Sequence, residues 1–294
     1  MDKDTFFYGE ALKKIRENKN YTQKEIANHT MSRSNYSKME KDQVNPNVEK
    51  YFAILDFLDI NHEEFTFILN DYQLNDKQTI IYTFKEMDQT PSTAYVKDLI
   101  QSCEELLNDR EDHITRDIYN IALGYYFLLE ERNTEESKIH AAKVWERLKE
   151  LDKYYLSEYH LLNGILYFFE LETAVSITDK ALEELELYYP FKEADTLHDS
   201  FSLNISALLI SHNQEKIALQ YIDKLIAKSK ENNNIVTLGA AYVRKGVCLE
   251  LTDNQKEAQN MYERAKELFN VINRDDLIKK MEDEPQSVCN PYFY

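Results

Sequence analysis

Between Thr22 and Lys41 the chain gathers side chains suited to bonding flat edges and phosphates: Gln23, Ser32, Arg33, Ser34, Asn35, Ser37, Lys38 and Lys41. A guanidinium such as that of Arg33 can engage two acceptors of a guanine edge at once, while hydroxyls and amides match other base edges. Ammonium groups suit phosphates, and so does the Gln23 amide at a helix start, where free backbone N–H groups assist. The chemistry implied is recognition of double-stranded DNA. It requires a helix that holds these groups on one exposed face.

The surrounding residues supply such a helix. Thr22 is an N-cap with Glu25 three residues on, a capping box that opens a helix from Gln23 to about Asn28 with Ile26 and Ala27 turned inward. A polar turn around Asn28 to Thr30 follows, and Ser32 caps a second helix. On a 3.6-residue wheel Tyr36 and Met39 share one side of that helix, while Ser34, Ser37, Lys38 and Lys41 fall on or near the other. Two short helices joined by a turn, the second with an outward polar face, are the sequence form of a helix-turn-helix.

The segment resembles the Xre/Cro-type DNA-binding domain over residues 7–69. Gly9 to Arg16 is similar to its first helix, Tyr21 to Ala27 to its second and Ser32 to Glu40 to its third; Pro46 to Leu58 is similar to the fourth, closed by Asp59-Ile60-Asn61. Lys41-Asp42 stand where such domains usually carry glycine, and Asp42 can adopt the left-handed turn that glycine favours. Charge confines DNA contact to this domain. Residues 1–60 hold ten Lys+Arg against ten Asp+Glu, so the rest of the chain carries the whole net charge of −18. The acidic region repels a polyanion, and a neutral DNA-binding domain gains useful affinity when a dimer presents two copies to a two-half-site operator.

A chain of 294 residues leaves about 225 for another domain with its own core. With five Gly and five Pro in all, and Pro190 alone between residues 92 and 284, that domain is expected to be helical. No run of 18 apolar residues occurs, and the start Met-Asp-Lys-Asp-Thr lacks a basic-then-apolar leader, so a cytoplasmic location without membrane contact is expected. Cys103, Cys248 and Cys289 are far apart and odd in number; they read as cytosolic thiols, the first two buried.

The later chain repeats itself. Asn213-Gln-Glu-Lys and Asn254-Gln-Lys-Glu stand 41 residues apart, as do Tyr221 and Tyr262; Asn120, Asn163 and Asn204 extend the pattern backwards at separations of 43 and 41. Periods of this size mean stacked helix pairs. The A helices are expected at about 115–131, 155–171, 196–211 and 236–251, and the B helices at about 135–151, 173–188, 214–230 and 255–272. The last pair, from Gly239 and from Lys256, looks like a tetratricopeptide repeat. A further pair at about 76–87 and 92–108 joins the domains, with its turn at Asp88 to Pro91. The fold expected is all-α: an N-terminal Xre/Cro-type bundle over 1–69, connecting helices over 70–110, a tetratricopeptide-like right-handed α-solenoid over 111–284 and a tail over 285–294.

The A helices of such a solenoid line a concave groove that suits an extended peptide. An asparagine offers a peptide backbone both a donor and an acceptor, which makes Asn120, Asn163 and Asn204 candidates, with bonding between the solenoid's own helices as their alternative role. Tyr242, Arg244 and Lys245 occupy the last A helix, where a cation can take a peptide carboxylate or pair with one of the chain's many acids.

An Xre-type domain followed by helical repeats, with Asp56 to Phe65 and Leu69-Asn70 at the junction, resembles the Rgg/MutR-type regulators related to PlcR. That resemblance implies a cytoplasmic, homodimeric transcription regulator whose repeat domain binds a short peptide pheromone in quorum sensing, with the last helices supplying dimer contact. Some relatives link subunits through a cysteine of the DNA-binding domain; the first cysteine here is Cys103, so no such link is expected. Catalysis has little support. The seven histidines form no i, i+4 pair, no Cys-x-x-Cys or glycine-rich phosphate loop occurs, and the abundant acids read as solvated helix faces. No metal, cofactor or enzyme activity is expected. Two alternatives stay open: a repeat-based protein-interaction module, and a DNA-binding regulator whose solenoid only dimerises.

Overall fold

The computed structural model describes residues 8–87 and 92–283, and within them every regular element is a helix. The turn expected at Asp88 to Pro91, the tail over 285–294 and Cys289 lie outside the described residues. The chain divides into two units, Met1–Thr79 and Ile80–Tyr294.

The first unit runs α1 (Tyr8–Asn18), α2 (Gln23–Thr30), α3 (Arg33–Met39), α4 (Val48–Phe57) and α5 (His62–Leu69). Its helices start where short polar side chains satisfy their first N–H groups. Thr22 and Glu25 form the expected capping box, and Ser32, Asn47 and Asn61 accept from the third N–H of α3, α4 and α5. One expectation fails here: α2 continues through His29 to Thr30, and the turn is Met31-Ser32 rather than Asn28 to Thr30. Thr30 stays helical because its hydroxyl donates to the Ile26 carbonyl one turn back. Leu12, Ile15, Ile26, Ala27, Tyr36, Met39, Ile54, Leu55, Leu58, Ile60 and Phe65 meet in one core.

A charged network sits beside that core. Glu40, at the end of α3, receives Arg16 Nε at 2.5 Å and Nη2 at 3.1 Å from α1, and Gln23 Nε2 at 2.7 Å from the start of α2. Arg16 also donates to the Tyr21 carbonyl, and both members of the ion pair are buried. The two-pronged geometry satisfies the carboxylate and raises the Arg16 pKa, chiefly through the Glu40 hydrogen bond. Three helices are thereby fixed around one carboxylate. After α3 the chain turns at Asp42 with φ 56°, the left-handed geometry expected of it, and the Asp42 carboxylate accepts the Gly9 N–H at 2.7 Å. A Cβ on Gly9 would lie 2.1 Å from the Met39 carbonyl oxygen, so only glycine lets α1 approach α3 this closely.

The second unit begins within α6 (Asp76–Met87) and continues with α7 (Thr93–Asp109), α8 (His113–Leu129) and α9 (Thr134–Leu148). Next come α10 (Leu156–Ile165), α11 (Leu171–Leu185), α12 (Lys192–Ser211), α13 (Glu215–Glu231), α14 (Ile235–Leu251), α15 (Gln255–Val271) and α16 (Asp275–Asp283). Two differences from the repeat pattern stand out. The helix expected at 155–171 ends at Ile165, where the chain tightens into a 3-10 turn over Leu166–Phe168, and α16 adds a helix after the last expected pair. Ile278 and Met281 bury α16 in the core, a short amphipathic signal beyond the last repeat.

Turns set the period of this unit. Asn213, Asn233, Asp253 and Asn273 all have φ of 54–60°, twenty residues apart, and the following N–H reaches back to Leu209, Ser229, Leu249 and Phe269 respectively. Each is a Schellman-type helix end built on Asn or Asp, whose short polar side chains tolerate the left-handed region. Tyrosine hydroxyls then tie helix to helix: Tyr119 to Glu104, Tyr159 to Glu184, Tyr221 to Asp179 and Tyr262 to Glu250. Cys103 and Cys248 are buried free thiols, as expected; burial pushes the Cys103 pKa up to about 12.

Two stability predictions follow from the buried charges. Glu40→Ala leaves the Arg16 guanidinium buried without its carboxylate and should cost about 3–5 kcal/mol. Amide exchange in α1 and α3 of the full chain should then quicken while α12 to α15 keep wild-type protection; equal exchange throughout would contradict the assignment. In the second unit, burial raises Asp117 and Asp199 to about 6, Asp117 despite Arg147 and Asp199 despite Lys228. Their folded pKa values exceed the unfolded one, so the stability they contribute is present below about pH 4 and lost as pH rises through 6. Asp199→Asn should raise the stability of the second unit at pH 7.5 by on the order of 2 kcal/mol and flatten its dependence between pH 5 and 7.5, measured by urea unfolding. An equal slope in the variant would refute it.

Candidate functional site

The α2-turn-α3 segment delivers the polar cluster to solvent. Tyr36 and Met39 are buried, burial pushes the Tyr36 phenol pKa up, and the α3 side chains a half-turn away point outward. Arg33, Ser34, Asn35 and Lys38 of α3 are exposed, Ser37 is half-buried and Lys41 is exposed in the turn just after the helix, so this side of the segment carries a guanidinium, two ammonium groups, an amide and two hydroxyls. A short helix with this face suits a major groove, where such groups reach base edges and phosphates.

Two of the expected DNA contacts have internal duties. The Ser32 hydroxyl accepts the Asn35 N–H at 3.3 Å as the N-cap of α3. Gln23, half-buried, donates to Glu40, so the amide expected to hold a phosphate commits a donor to the fold. Sequence reasoning passed over Arg16 and Glu40. Their signal was present, since each stands at a core-facing position, Arg16 four residues after Leu12 and Glu40 four after Tyr36, where an apolar residue is the rule.

In the second unit the six expected ligand residues separate. Asn163 is fully buried and accepts from Asn204 Nδ2 at 3.0 Å, and Asn204 in turn accepts from the Tyr167 hydroxyl at 2.6 Å, so α10 and α12 are joined by a polar row. Arg244 of α14 continues it: fully buried, it donates to the Leu203 carbonyl and to Ser206 Oγ of α12. Asn120 stands apart, its amide donating to the Arg116 carbonyl of its own helix and its oxygen facing His140 Nδ1 of α9 at 3.0 Å. Tyr242 and Lys245 also leave the row. Tyr242 is buried beneath Lys230 of α13 and Arg264 of α15, and Lys245 pairs with Asp223 of α13 at 2.6 Å. At 100° per residue, neither side chain can share the α12-facing direction of Arg244.

No helix among the described residues is long and apolar enough to cross a membrane, and none of their His, Cys, Asp and Glu side chains form a group able to hold a metal ion.

Residues 12–65 match the helix-turn-helix family, and residues 90–284 match the RNPP family C-terminal domain. None of the curated proteins matches the chain. Solved structures share the fold, three of them as follows. A Listeria monocytogenes EGD-e protein described as a candidate transcriptional regulator has a TM-score of 0.80 at 18% identity, covering 97% of both chains. Bacillus thuringiensis PlcR, solved with the peptide PapR7 and DNA, has a TM-score of 0.70 at 19% identity, covering 95% of this chain and 100% of that one. The Streptococcus dysgalactiae SHP pheromone receptor Rgg2 has a TM-score of 0.68 at 15% identity, covering 95% and 99%. With its C-terminal match spanning more than half of the sequence behind a helix-turn-helix, the chain belongs to the RNPP family.

Proposed function

We propose that the protein is a sequence-specific DNA-binding transcription regulator controlled by a short peptide pheromone bound in its repeat domain. The observation that carries the reading is the outward α3 face of Arg33, Ser34, Asn35, Ser37 and Lys38, with exposed Lys41 in the turn just beyond it, standing on buried Tyr36 and Met39. Residues 1–69 recognise DNA, 70–110 connect, and 111–284 sense the ligand and dimerise. The protein works in the cytoplasm as a homodimer, each subunit offering α3 to one of two adjacent major grooves. Arg33 grips a base edge, Lys38 and Lys41 neutralise phosphates, and Ser34 and Ser37 adjust the register. A peptide alters DNA binding to the extent that it binds two dimer states unequally.

The polar row of Asn163, Asn204 and Arg244 supports a peptide ligand of extended backbone, because such groups can trade bonds with one another for bonds to peptide amides. The PlcR and Rgg2 likenesses support the same class of ligand, a peptide in one and a pheromone in the other. A second reading has one observation in its favour: Asn163, Asn204 and Tyr167 already satisfy one another, as they would in a repeat domain that only dimerises.

Arg33→Ala should weaken binding to the duplex that the wild-type chain selects from a random library by about 1–3 kcal/mol, with relaxed preference at one base pair. Uniform weakening across sequences with a shallower salt slope would reassign Arg33 to a phosphate. Titration calorimetry against a library of short apolar peptides should find one that binds the wild-type chain and loses roughly tenfold or more with Asn204→Ala. Heat from no peptide at all would favour the dimerising reading.

A further inference from the structure

A cleft in the second unit carries polar groups that the proposed function leaves unused. The end of α11, the 3-10 turn Glu186–Tyr188, the first turns of α12 and the last turns of α13 enclose about 410 Å³. Small-ligand sites occupy roughly 300–1,000 Å³. Leu185, Ala194 and Ala227 line the cleft with apolar surface, and the two alanines leave room that larger side chains would fill. Tyr189 and Phe191 also line it, 80% and 63% exposed, so a bound apolar group would take both rings out of water. The cleft is separate from the polar row of Asn163, Asn204 and Arg244. His198 lines it, and the six residues between His198 and Asn204 set the two about 120° apart around α12.

The charged groups of the lining divide into those with partners and those without. Lys228 is committed: its Nζ lies 3.3 Å from Asp195 Oδ1 and 3.8 Å from Glu186 Oε1. Lys224 and Glu231 have no ion pair or hydrogen bond among the described residues, and both are exposed. They stand seven residues apart on α13, on one side of the helix and about 10 Å apart along its axis, so they bracket the cleft lengthwise. Glu231 closes α13, where the helix dipole adds to its attraction for a cation.

His198 is the third group without a partner. Its side chain is 13% exposed, its Nδ1 is buried 4.0 Å from Asp199 Oδ1, and its Nε2 lies 3.7 Å from Glu186 Oε1, both beyond hydrogen-bond reach. A buried polar group left unsatisfied is costly, so its place on the wall of a cleft points to a ligand that bonds it. Burial pulls the His198 pKa down to about 4, so at physiological pH the neutral ring offers one donor and one acceptor, which match the acceptor and donor of a peptide group.

We propose that this cleft binds a zwitterionic peptide of about three residues, its carboxylate at Lys224, its ammonium at Glu231 and an apolar side chain against Ala194, Ala227 and the Tyr189 and Phe191 rings. An extended tripeptide reaches about 10 Å, the separation of the two free charges. A free amino acid carries both charges on one carbon and meets only one partner, and a longer chain carries a terminus past the other. Simple anions are disfavoured, because Glu186, Asp195 and Glu231 outnumber Lys224 and Lys228 in the lining. The proposal adds a second ligand to the chain and does not rest on the DNA-binding reading.

Titration calorimetry of the full chain against the tripeptides Ala-X-Ala, with X as Leu, Phe, Tyr or Trp, tests it. At least one should bind, and N-acetylation or C-amidation of that peptide should each weaken binding roughly tenfold. Lys224→Gln should erase the difference between acid and amide while keeping the penalty of acetylation, and Glu231→Gln should do the reverse, a pairing that a general loss of fold cannot produce. Asn204→Ala should leave the affinity within about twofold. Failure of all four tripeptides to bind at millimolar concentration, blocked peptides that bind as well as free ones, or variants that keep wild-type selectivity for both termini overturns the proposal. So does loss of binding in Asn204→Ala, which moves the tripeptides to the polar row.

Discussion

Helix ends are the constraint on which the structure rests. Every left-handed residue among those described is something other than glycine, and eight of the ten are Asn or Asp. In the repeat unit four of them fall twenty residues apart, each stopping a helix so that the next can fold back along it. Without those stops, the apolar stripes of α12 to α15 would have no neighbour to cover them, since a single repeat cannot bury its own face. The same device closes α1 at Asn20, α3 at Asp42, α4 at Asp59 and α5 around Asp71, so both units share one local rule. It also explains how a chain with five glycines makes so many sharp turns.

Within that frame, each unit places polarity where burial gives it direction. In the first, the Arg16 and Glu40 pair fixes the angle between α1 and α3, a task that Leu12 and Met39 alone would leave loosely defined. In the second, the Asn163, Asn204 and Tyr167 row and the Arg244 contacts cross from one A helix to the next. Buried hydrogen bonds contribute modestly when made and cost far more when broken, so they specify one stacking register more sharply than they stabilise it. A row of this kind can exchange partners, because each amide keeps both a donor and an acceptor. Sensing and internal bonding are therefore compatible uses of the same residues.

Much of this was legible in the sequence. Thr22 with Glu25, Ser32 before Arg33, and Tyr36 with Met39 three residues on encode the helix-turn-helix through local chemistry alone. The 41-residue spacing of Asn163 and Asn204 set them on successive A helices as groove residues, with bonding between helices as the alternative role, and the structure joins the two side chains. What stayed hidden was the partner of each side chain. Tyr242, Arg244 and Lys245 are nearly adjacent in sequence, but the helix turns them toward three different directions, and only the packing of α12, α13 and α15 decides which is which. Glu193 was equally opaque, one acid among 53 until Lys85 of α6 and His160 of α10 are seen to converge on it. α2 runs past the polar Asn28 to Thr30, whose hydroxyl bonds back to the Ile26 carbonyl inside the helix.

The tyrosine ties between helices set a limit of another kind. Tyr119, Tyr159 and Tyr221 donate their phenolic protons to carboxylates, and burial raises the pKa of all three. Each tie exists only while the phenol keeps its proton, because a phenolate facing a carboxylate repels it. Alkali that removes these protons therefore severs the ties of α8 to α7, of α10 to α11 and of α13 to α11, so the stack weakens as its phenols ionise.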